Sequence, residues 1–474
     1  MFEVIAIFLL GIQIIIFLYF VTVNGTYTAF TILSIRELIA NLIISNDRRL
    51  KNILSSMSFY RPISIIVPSY NEEKTIVSNI RSLLSLHFPE FEVIIVNDGS
   101  TDKTLEILVK EFNLIQVPTA VRLVLNHKQI RNLFISIDHP NLIVVDKVNG
   151  GKADAINAGI NVSQFPLFCC IDADSVLEPE ALLRASRLFF EDREVIATGG
   201  VVLPVNGCKV EAGTISELKT PKKILELLQA VEYIRGFLSG RTGWSKGKSL
   251  LIISGAFGVF RKDLVMEIGG YRHTVGEDMD LVVRLHKHCL DNKIKYKILF
   301  VPDPVCYTQV PSDLPSLLKQ RNRWHRGLID SLIFSKKMFF NPKYGAVGLI
   351  GFPYFVFVEA LGPIIEFTGY FGFVVFYFLG YLSKEFAFLF FLFAFIWGMW
   401  INISAVLLDN FIYRRYRGVK DILKLCIGGV IEFLGYRQLI AAERIIATFQ
   451  FWKKGWGKPK REKIEHEEAV RINR

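Results

Sequence analysis

Two carboxylates spaced two apart, Asp172 and Asp174, directly follow the apolar run Leu167 to Ile171 and precede Ser175 and Leu177-Glu-Pro179. A sugar diphosphate carries charge that a hard cation held by carboxylates can offset, so this D-x-D reads as a metal and diphosphate site. Upstream, Asn149-Gly-Gly-Lys152 precedes the helix-like stretch Ala153 to Gly159. Its glycines permit close backbone approach, and Lys152 is placed to meet a phosphate or the sugar of a donor. Downstream, Gly276-Glu277-Asp278 opens the helical pattern Met279 to His288. Acids at a helix start are often only caps. If that helix faces the cleft, Asp278 can take the proton of an attacking hydroxyl while a metal stabilises the departing diphosphate. His286 and His288 stand two apart on the same helical pattern and face away from each other, which speaks against a two-histidine metal site.

These groups need a scaffold, and its elements can be read between residues 59 and 310. Ile63 to Val67, Val93 to Val96, Leu142 to Asp146 and Leu167 to Ile171 are short β-branched runs. Amphipathic patterns such as Glu73 to Leu86 and Asp102 to Phe112 separate them. Continuous apolar strands alternating with helices predict a largely parallel α/β sheet. Ligands of such sheets bind beyond the carboxyl ends of the strands. The strands here end in Pro68-Ser-Tyr70-Asn-Glu72, in Asn97-Asp98-Gly-Ser-Thr-Asp102 and in Asp172-Ala-Asp174. Any one of these is what a turn or a cap would use; three at the same end of successive strands predict a site.

Apolar segments flank this unit. Val4 to Val23 is twenty residues without a charge, preceded by Glu3 and lacking a basic leader or a small-x-small cleavage pattern, and reads as a retained anchor. The basic residues that follow, Arg36, Arg48, Arg49 and Lys51, place the N-terminus outside and the next domain in the cytosol, where nucleotide-sugars reside. Phe386 to Leu408 is a second span of twenty-three uncharged residues. Ala346 to Leu382 exceeds one crossing and reads as a hairpin of two crossings or an interfacial helix plus one. Ile422 to Phe449 carries Lys424, Glu432, Arg437, Glu443 and Arg444, and so is expected to lie in the interface or to cross twice. The expectation is a multi-pass protein of the plasma (inner) membrane with three to five crossings. Its parts are a membrane anchor and juxtamembrane segment (1–58), a catalytic domain (59–310), an amphipathic interface helix (311–343), transmembrane or interfacial helices (344–452) and a basic cytosolic tail (453–474).

The net charge of +11 sits beside the apolar runs, at Arg36 to Lys51, Arg414 to Lys424 and Lys453 to Lys463, which suits an anionic leaflet and not a nucleic acid. Six cysteines show neither disulfide-framework nor zinc spacing, as in a reducing compartment.

Taken in order, Val67-Pro-Ser-Tyr-Asn-Glu72, Asn97-Asp98-Gly-Ser, Gly150-Gly-Lys152, Asp172-Ala-Asp174, Gly276-Glu-Asp278 and Gln320-Arg-Asn-Arg-Trp324 resemble the family 2 glycosyltransferases. The resemblance is strongest to the membrane branch containing cellulose, hyaluronan and poly-N-acetylglucosamine synthases. It implies a GT-A (Rossmann-like) α/β domain inserted between the N-terminal transmembrane helix and the C-terminal transmembrane or interfacial helices, inversion at the anomeric carbon, and a divalent metal, Mg2+ or Mn2+. It places Tyr70, Glu72 and Asp98 near the nucleotide, Asp172 and Lys152 on the donor, and Asp174 on metal and diphosphate. Asp278 becomes the general base, and Gln320, Arg323 and Trp324 become diphosphate contacts and an aromatic platform for the acceptor. Trp456, Lys460 and Arg461 in the tail resemble a gating segment of hyaluronan synthases, with a basic membrane-surface tail as the alternative. Position 97 is Asn where many members have a second Asp, Gln309 stands where Glu is frequent, and Ser254-Gly-Ala-Phe-Gly258 lacks the cysteine found there in cellulose synthases, which argues against cellulose.

The expected activity is transfer from a UDP-sugar to a growing β-linked polysaccharide, processive and coupled to export through the membrane helices. Export partners or further copies of the chain are compatible with that. The alternatives are single addition to a lipid-linked acceptor and, from another class, a non-catalytic export subunit; the retained acidic set opposes the latter.

Overall fold

Strand β1 (Ile63–Ser69) is apolar on both faces, with Ile63, Ile65, Ile66 and Val67 fully buried, because helices cover the sheet on each side. The same holds for β2 (Phe91–Asn97), β5 (Leu142–Lys147) and β6 (Leu167–Ile171). The computed structural model describes residues 2–46, 60–119, 121–211, 213–453 and 466–467. With β3 (Leu114–Val117), β4 (Ile130–Ser136), β7 (Val176–Leu177), β8 (Val195–Pro204), β11 (Phe257–Arg261) and β12 (Lys297–Thr308), these strands form one ten-stranded sheet in the order β3-β4-β5-β2-β1-β6-β11-β8-β12-β7. A small second sheet joins β9 (Lys209–Glu211) to β10 (Thr214–Glu217) and β13 (His466–Glu467).

The sheet is mixed, which corrects the expectation of a largely parallel one. Only its centre, β5-β2-β1-β6, and the β8-β12 pair are parallel. The β3-β4 hairpin extends one side antiparallel, and β11 runs antiparallel between β6 and β8. A β-branched run shows that a strand forms but not which way it points. The direction of β11 has a consequence for the site. Phe257, at its start, pairs with Ile171, at the end of β6, so Ser254-Gly255-Ala256 enters the sheet beside the point where Asp172 leaves it.

Helices α1 (Phe2–Asn46), α2 (Ile76–Leu84), α3 (Thr104–Glu111), α4 (Lys152–Val162), α5 (Ala181–Glu191) and α6 (Ile224–Ile234) follow in chain order. α6 continues without a break into a π-helical turn, Arg235–Arg241. Next come α7 (Glu277–Asp291) and α8 (Leu314–Phe334). Asp313 caps α8 by accepting from Ser316 N at 2.9 Å, and Pro315 falls in its first turn, where a missing N–H costs nothing. After α8 the chain is apolar: α9 (Gly362–Phe378), α10 (Lys384–Tyr413), α11 (Val419–Ile431) and α12 (Arg437–Thr448).

Among the described residues three helical stretches are long and apolar enough to cross a membrane: Gly11–Arg36 within α1, α10, and Val419–Thr448. A fourth is possible if Val347–Ala360 and α9, bent by 50° at their junction, form one broken span. α1 and α10 lie together, with the rings of Phe20 and Trp397 edge to face at 5.9 Å and Trp397 Nε1 donating to Thr28 Oγ1 at 3.0 Å. Val419–Thr448 bends at Leu434 and Gly435, where φ reaches 109°, a value glycine tolerates. Four of the charges that made this segment look unfit for lipid are paired inside the protein. Glu432 accepts from Arg235 at 2.9 Å, Arg437 donates to Glu366 at 2.9 Å, Glu443 accepts from Asn322 at 2.8 Å, and Arg444 reaches Glu359 at 3.3 Å.

Candidate active site

Lys152 is the first residue of α4, launched by Gly151 at φ +89° from the end of β5. Its Nζ lies 2.6 Å from Asp172 Oδ1 and 3.0 Å from Glu277 Oε1, so three segments far apart in sequence meet on one cation. Burial works to lower the Lys152 ammonium, but the Asp172 and Glu277 carboxylates outweigh it and hold it well above its ordinary value. Glu277 is itself pushed up by burial, against the pull of Lys152. Its part was missed in the sequence, although its position before Asp278 at a helix start was the available signal. Asp278 is half-buried, accepting from Gly255 N at 3.1 Å and from Met279 N at 2.8 Å. These two amides fix the carboxylate at the mouth between β11 and α7.

Asp174 is half-buried. Burial first, then the charge of Asp172, push its carboxyl up to about 7, with Lys152 and Arg323 opposing. A carboxyl held in this way is stabilised by an added cation, and its oxygens are hard donors, so the residues present fit a divalent metal. No group of three or more His, Cys, Asp and Glu side chains able to hold a metal occurs among the described residues. Asp174, with Asp172 beside it, would therefore supply the chain's share of the coordination and leave the rest to other oxygens.

Asp98 sits at the end of β2, buried, and is engaged on both oxygens. Oδ1 accepts from Gly150 N at 2.9 Å and from Lys147 Nζ at 2.5 Å, and Oδ2 accepts from Gly151 N at 2.7 Å. In this arrangement it pins the turn that carries Lys152. Lys147, fully buried, also reaches Asp154 at 2.5 Å; sequence reading passed over it because a lysine at the end of an apolar strand carries no motif. Asn97 donates to Asp146 at 2.8 Å, a bond that a second carboxylate at that position could not make without a proton. Tyr70 is 40% exposed at the end of β1, while Glu72 is buried and accepts from the Thr75 hydroxyl at 3.0 Å.

The Gln320-to-Trp324 segment lies in α8, which meets the start of α7 through two glycines. A Cβ on Gly327 would fall 2.6 Å from Gly276 Cα, so only glycine allows this approach. Trp324 is 41% exposed, with the Arg321 guanidinium 4.3 Å from its ring centroid. Arg321 pairs with Glu232 at 2.8 Å, and Tyr436 donates to the same carboxylate at 2.9 Å. Arg323 acts electrostatically on Asp174, and Gln320 has a buried Oε1 with no hydrogen-bond partner. Glu232 also lines a cavity of about 130 Å³ between the apolar helices, together with the Arg235–Glu432 and Arg437–Glu366 pairs, Glu359 and Arg444. Trp324 thus stands one ion pair away from a polar space among the apolar helices.

His286 bonds to Leu250 O and Tyr296, and His288 to Glu267, so the two point apart as expected. Trp456, Lys460 and Arg461 lie outside the described residues.

Residues 64–269 match the family described as Glycosyl transferase family 2, and residues 167–401 match Glycosyl transferase family group 2. Poly-beta-1,6-N-acetyl-D-glucosamine synthase of Staphylococcus epidermidis is 29% identical over 265 residues, 56% of this chain and 54% of that protein. The enzyme of the same name from Staphylococcus aureus (strain COL) is 28% identical over the same shares. The chain therefore aligns with about half the length of the curated relatives it matches. Among solved structures, a mannosyltransferase from Pyrobaculum calidifontis in complex with GDP-Man and Mn2+ aligns at a TM-score of 0.48 with 17% identity, covering 87% of this chain and 99% of that one. TarS 1–349 of S. aureus aligns at 0.35 with 17% identity, covering 79% and 92%. With two family matches running continuously from residue 64 to residue 401 across the strands, the carboxylate cluster and α8, the chain belongs to the family 2 glycosyltransferases.

Proposed function

We propose that the protein is an inverting, metal-dependent glycosyltransferase that moves N-acetylglucosamine from its UDP-sugar to the end of a growing β-linked polysaccharide. It would do so at the cytosolic face of the plasma membrane and pass the chain into the cavity between the membrane helices. The observation that carries this reading is the meeting of Lys152, Asp172 and Glu277 on one cation, with Asp278 held beside them by Gly255 N and Met279 N. The names of the staphylococcal relatives support the choice of sugar and polymer.

In this mechanism Lys152, fixed by its two carboxylates, positions the donor. Asp98 holds the Gly150-Gly151 turn beneath it, with Tyr70 and Glu72 on the nucleotide side. Asp174 would hold a divalent cation, whose positive charge would offset that of the departing diphosphate. Gln320 and Arg323 extend that contact from α8, and Trp324 offers its exposed ring to the acceptor sugar. Asp278 accepts the proton of the acceptor hydroxyl as that oxygen bonds to the anomeric carbon. The bond from this carbon to the β-phosphate oxygen breaks on the opposite side, so UDP departs with the electron pair and the configuration inverts. Nearness of Trp324 to the cavity, through Arg321 and Glu232, supports export of the product over a diffusible single addition.

Asp278→Asn tests the assignment. It keeps the size of the side chain but removes the base, so transfer should fall by about a hundredfold or more while UDP-sugar affinity stays within a few fold. Unchanged turnover would remove Asp278 from the role.

A further inference from the structure

Helix α6 and the π turn that continues it place Tyr233, Phe237 and Arg241 four residues apart, on one face and about 12 Å from end to end by helical rise. The Tyr233 and Phe237 rings pack at 5.7 Å, and the Arg241 guanidinium stacks on Phe237 with 3.7 Å between carbon and centroid. None of these contacts satisfies the polar tips. Arg241 Nη1 is sealed from solvent and unbonded, and neither Arg241 nor Tyr233 makes a hydrogen bond or an ion pair with any described residue. A guanidinium held in a protein without an anion or acceptor is costly, and a π turn inside a helix is a feature that recurs at functional sites.

Both ends of this stripe feel the site. The Asp278 carboxylate and the Tyr233 hydroxyl act on Arg241, resisting the burial that pulls its guanidinium down to about 10. Tyr233 in turn lies within the influence of Asp174 and Arg321. The stripe is therefore coupled electrostatically to Asp174 through Tyr233 and to Asp278 through Arg241. Gly255 borders the base end: a Cβ there would meet Lys152 Nζ at 3.0 Å and the Asp278 Cβ at 3.6 Å, so its hydrogen leaves room beside the carboxylate.

Resting on the proposed transfer reaction, we infer that this face is the acceptor wall: Arg241 donates to an oxygen of the acceptor's terminal sugar and Tyr233 bonds to the same sugar, orienting its nucleophilic hydroxyl toward Asp278. The ligand class is a neutral β-linked amino-sugar oligosaccharide, whose hydroxyl and acetamide oxygens are the acceptors that a partnerless guanidinium lacks. Trp324 supplies a ring face to this sugar, and the Tyr233–Arg241 stripe supplies its hydrogen bonds.

The test uses the full-length protein in detergent or nanodiscs, with UDP-N-acetylglucosamine and a β-1,6-linked N-acetylglucosamine oligosaccharide as added acceptor. Arg241→Met should raise the KM for the oligosaccharide by about tenfold or more, with donor affinity and acceptor-independent UDP release within about twofold of the parent protein. Arg241→Lys, which keeps the charge but loses the fork, should recover part of the loss. Tyr233→Phe removes one hydroxyl without altering packing and should raise the same KM several-fold, so the inference stays testable even if Arg241→Met fails to fold. An unchanged acceptor KM in Tyr233→Phe and Arg241→Met, or a loss confined to donor affinity, would overturn it while leaving the proposed function standing. A parent protein that releases no UDP from any UDP-sugar would overturn both.

Discussion

At the scale of single residues, the site is a problem of charge. Asp172, Asp174, Glu277 and Asp278 stand close together, and Lys152 is the cation that touches two of them. Lys152→Met should leave Asp172 and Glu277 facing each other unpaired, costing about 3 kcal/mol, toward the low end for a broken buried pair because Asp172 stays partly in water. A thermal melt of the purified protein should show a lower Tm together with weaker donor binding; an unchanged Tm would mean the pair contributes nothing to the fold. Asp174→Ala has a different signature. Metal-dependent binding of the UDP-sugar should weaken roughly tenfold or more, and chelation with EDTA should no longer matter in the variant, as read by isothermal titration with Mn2+ or Mg2+. Retained metal dependence would exclude Asp174 as the ligand. Asp172, Asp174, Lys152 and Asp278 were legible in the sequence because each lies in a short motif at the end of a predicted strand or start of a helix. Glu277 and Lys147 were not, because what marks them is a partner distant in sequence, Lys152 and Asp98, and Arg241 was not, because what marks it is an unbonded guanidinium nitrogen.

At the scale of elements, the approach of α7 to α8 sets the distance between Asp278, the proposed base, and Trp324, the proposed acceptor platform, and it depends on Gly276 and Gly327 touching backbone to backbone. Gly327→Leu should force the two helices apart, costing about 1–3 kcal/mol from overpacking and uncoupling Asp278 from Trp324. The expected reading is a sharp loss of transfer with donor affinity retained; a variant with full activity would show that the contact is incidental. The strands of the parallel centre were legible because β-branched runs buried on both faces leave no polar alternation to confuse them. The antiparallel insertions were not, since β11 and the β3-β4 hairpin carry the same kind of apolar run and a run has no direction. That reversal brings Gly255 beside Asp172 and so builds half of the site.

At the scale of the whole molecule, the candidate cleft and the apolar helices are joined by a cation-π contact and an ion pair that lead from Trp324 through Arg321 and Glu232 into the cavity. The long apolar helices α1 and α10 were legible from uninterrupted apolar runs. The length and apolarity of Val419–Thr448 were harder to read, because its charges look prohibitive until their partners are known, and Glu366, which pairs Arg437, lies 71 residues away. Glu366→Leu leaves Arg437 without its counter-ion beside the cavity, and the expected outcome is shorter polymer at a near-normal initial rate of UDP release. Normal chain length in that variant, by gel-filtration sizing, would separate the cavity from export.

The most direct test of the whole account is the size of the product. Purified full-length protein in nanodiscs, given UDP-N-acetylglucosamine and Mg2+ or Mn2+, should release UDP in step with a high-molecular-weight polymer that an N-acetylglucosaminidase specific for β linkages degrades. Release of UDP with only a single-addition or lipid-extractable product would contradict it.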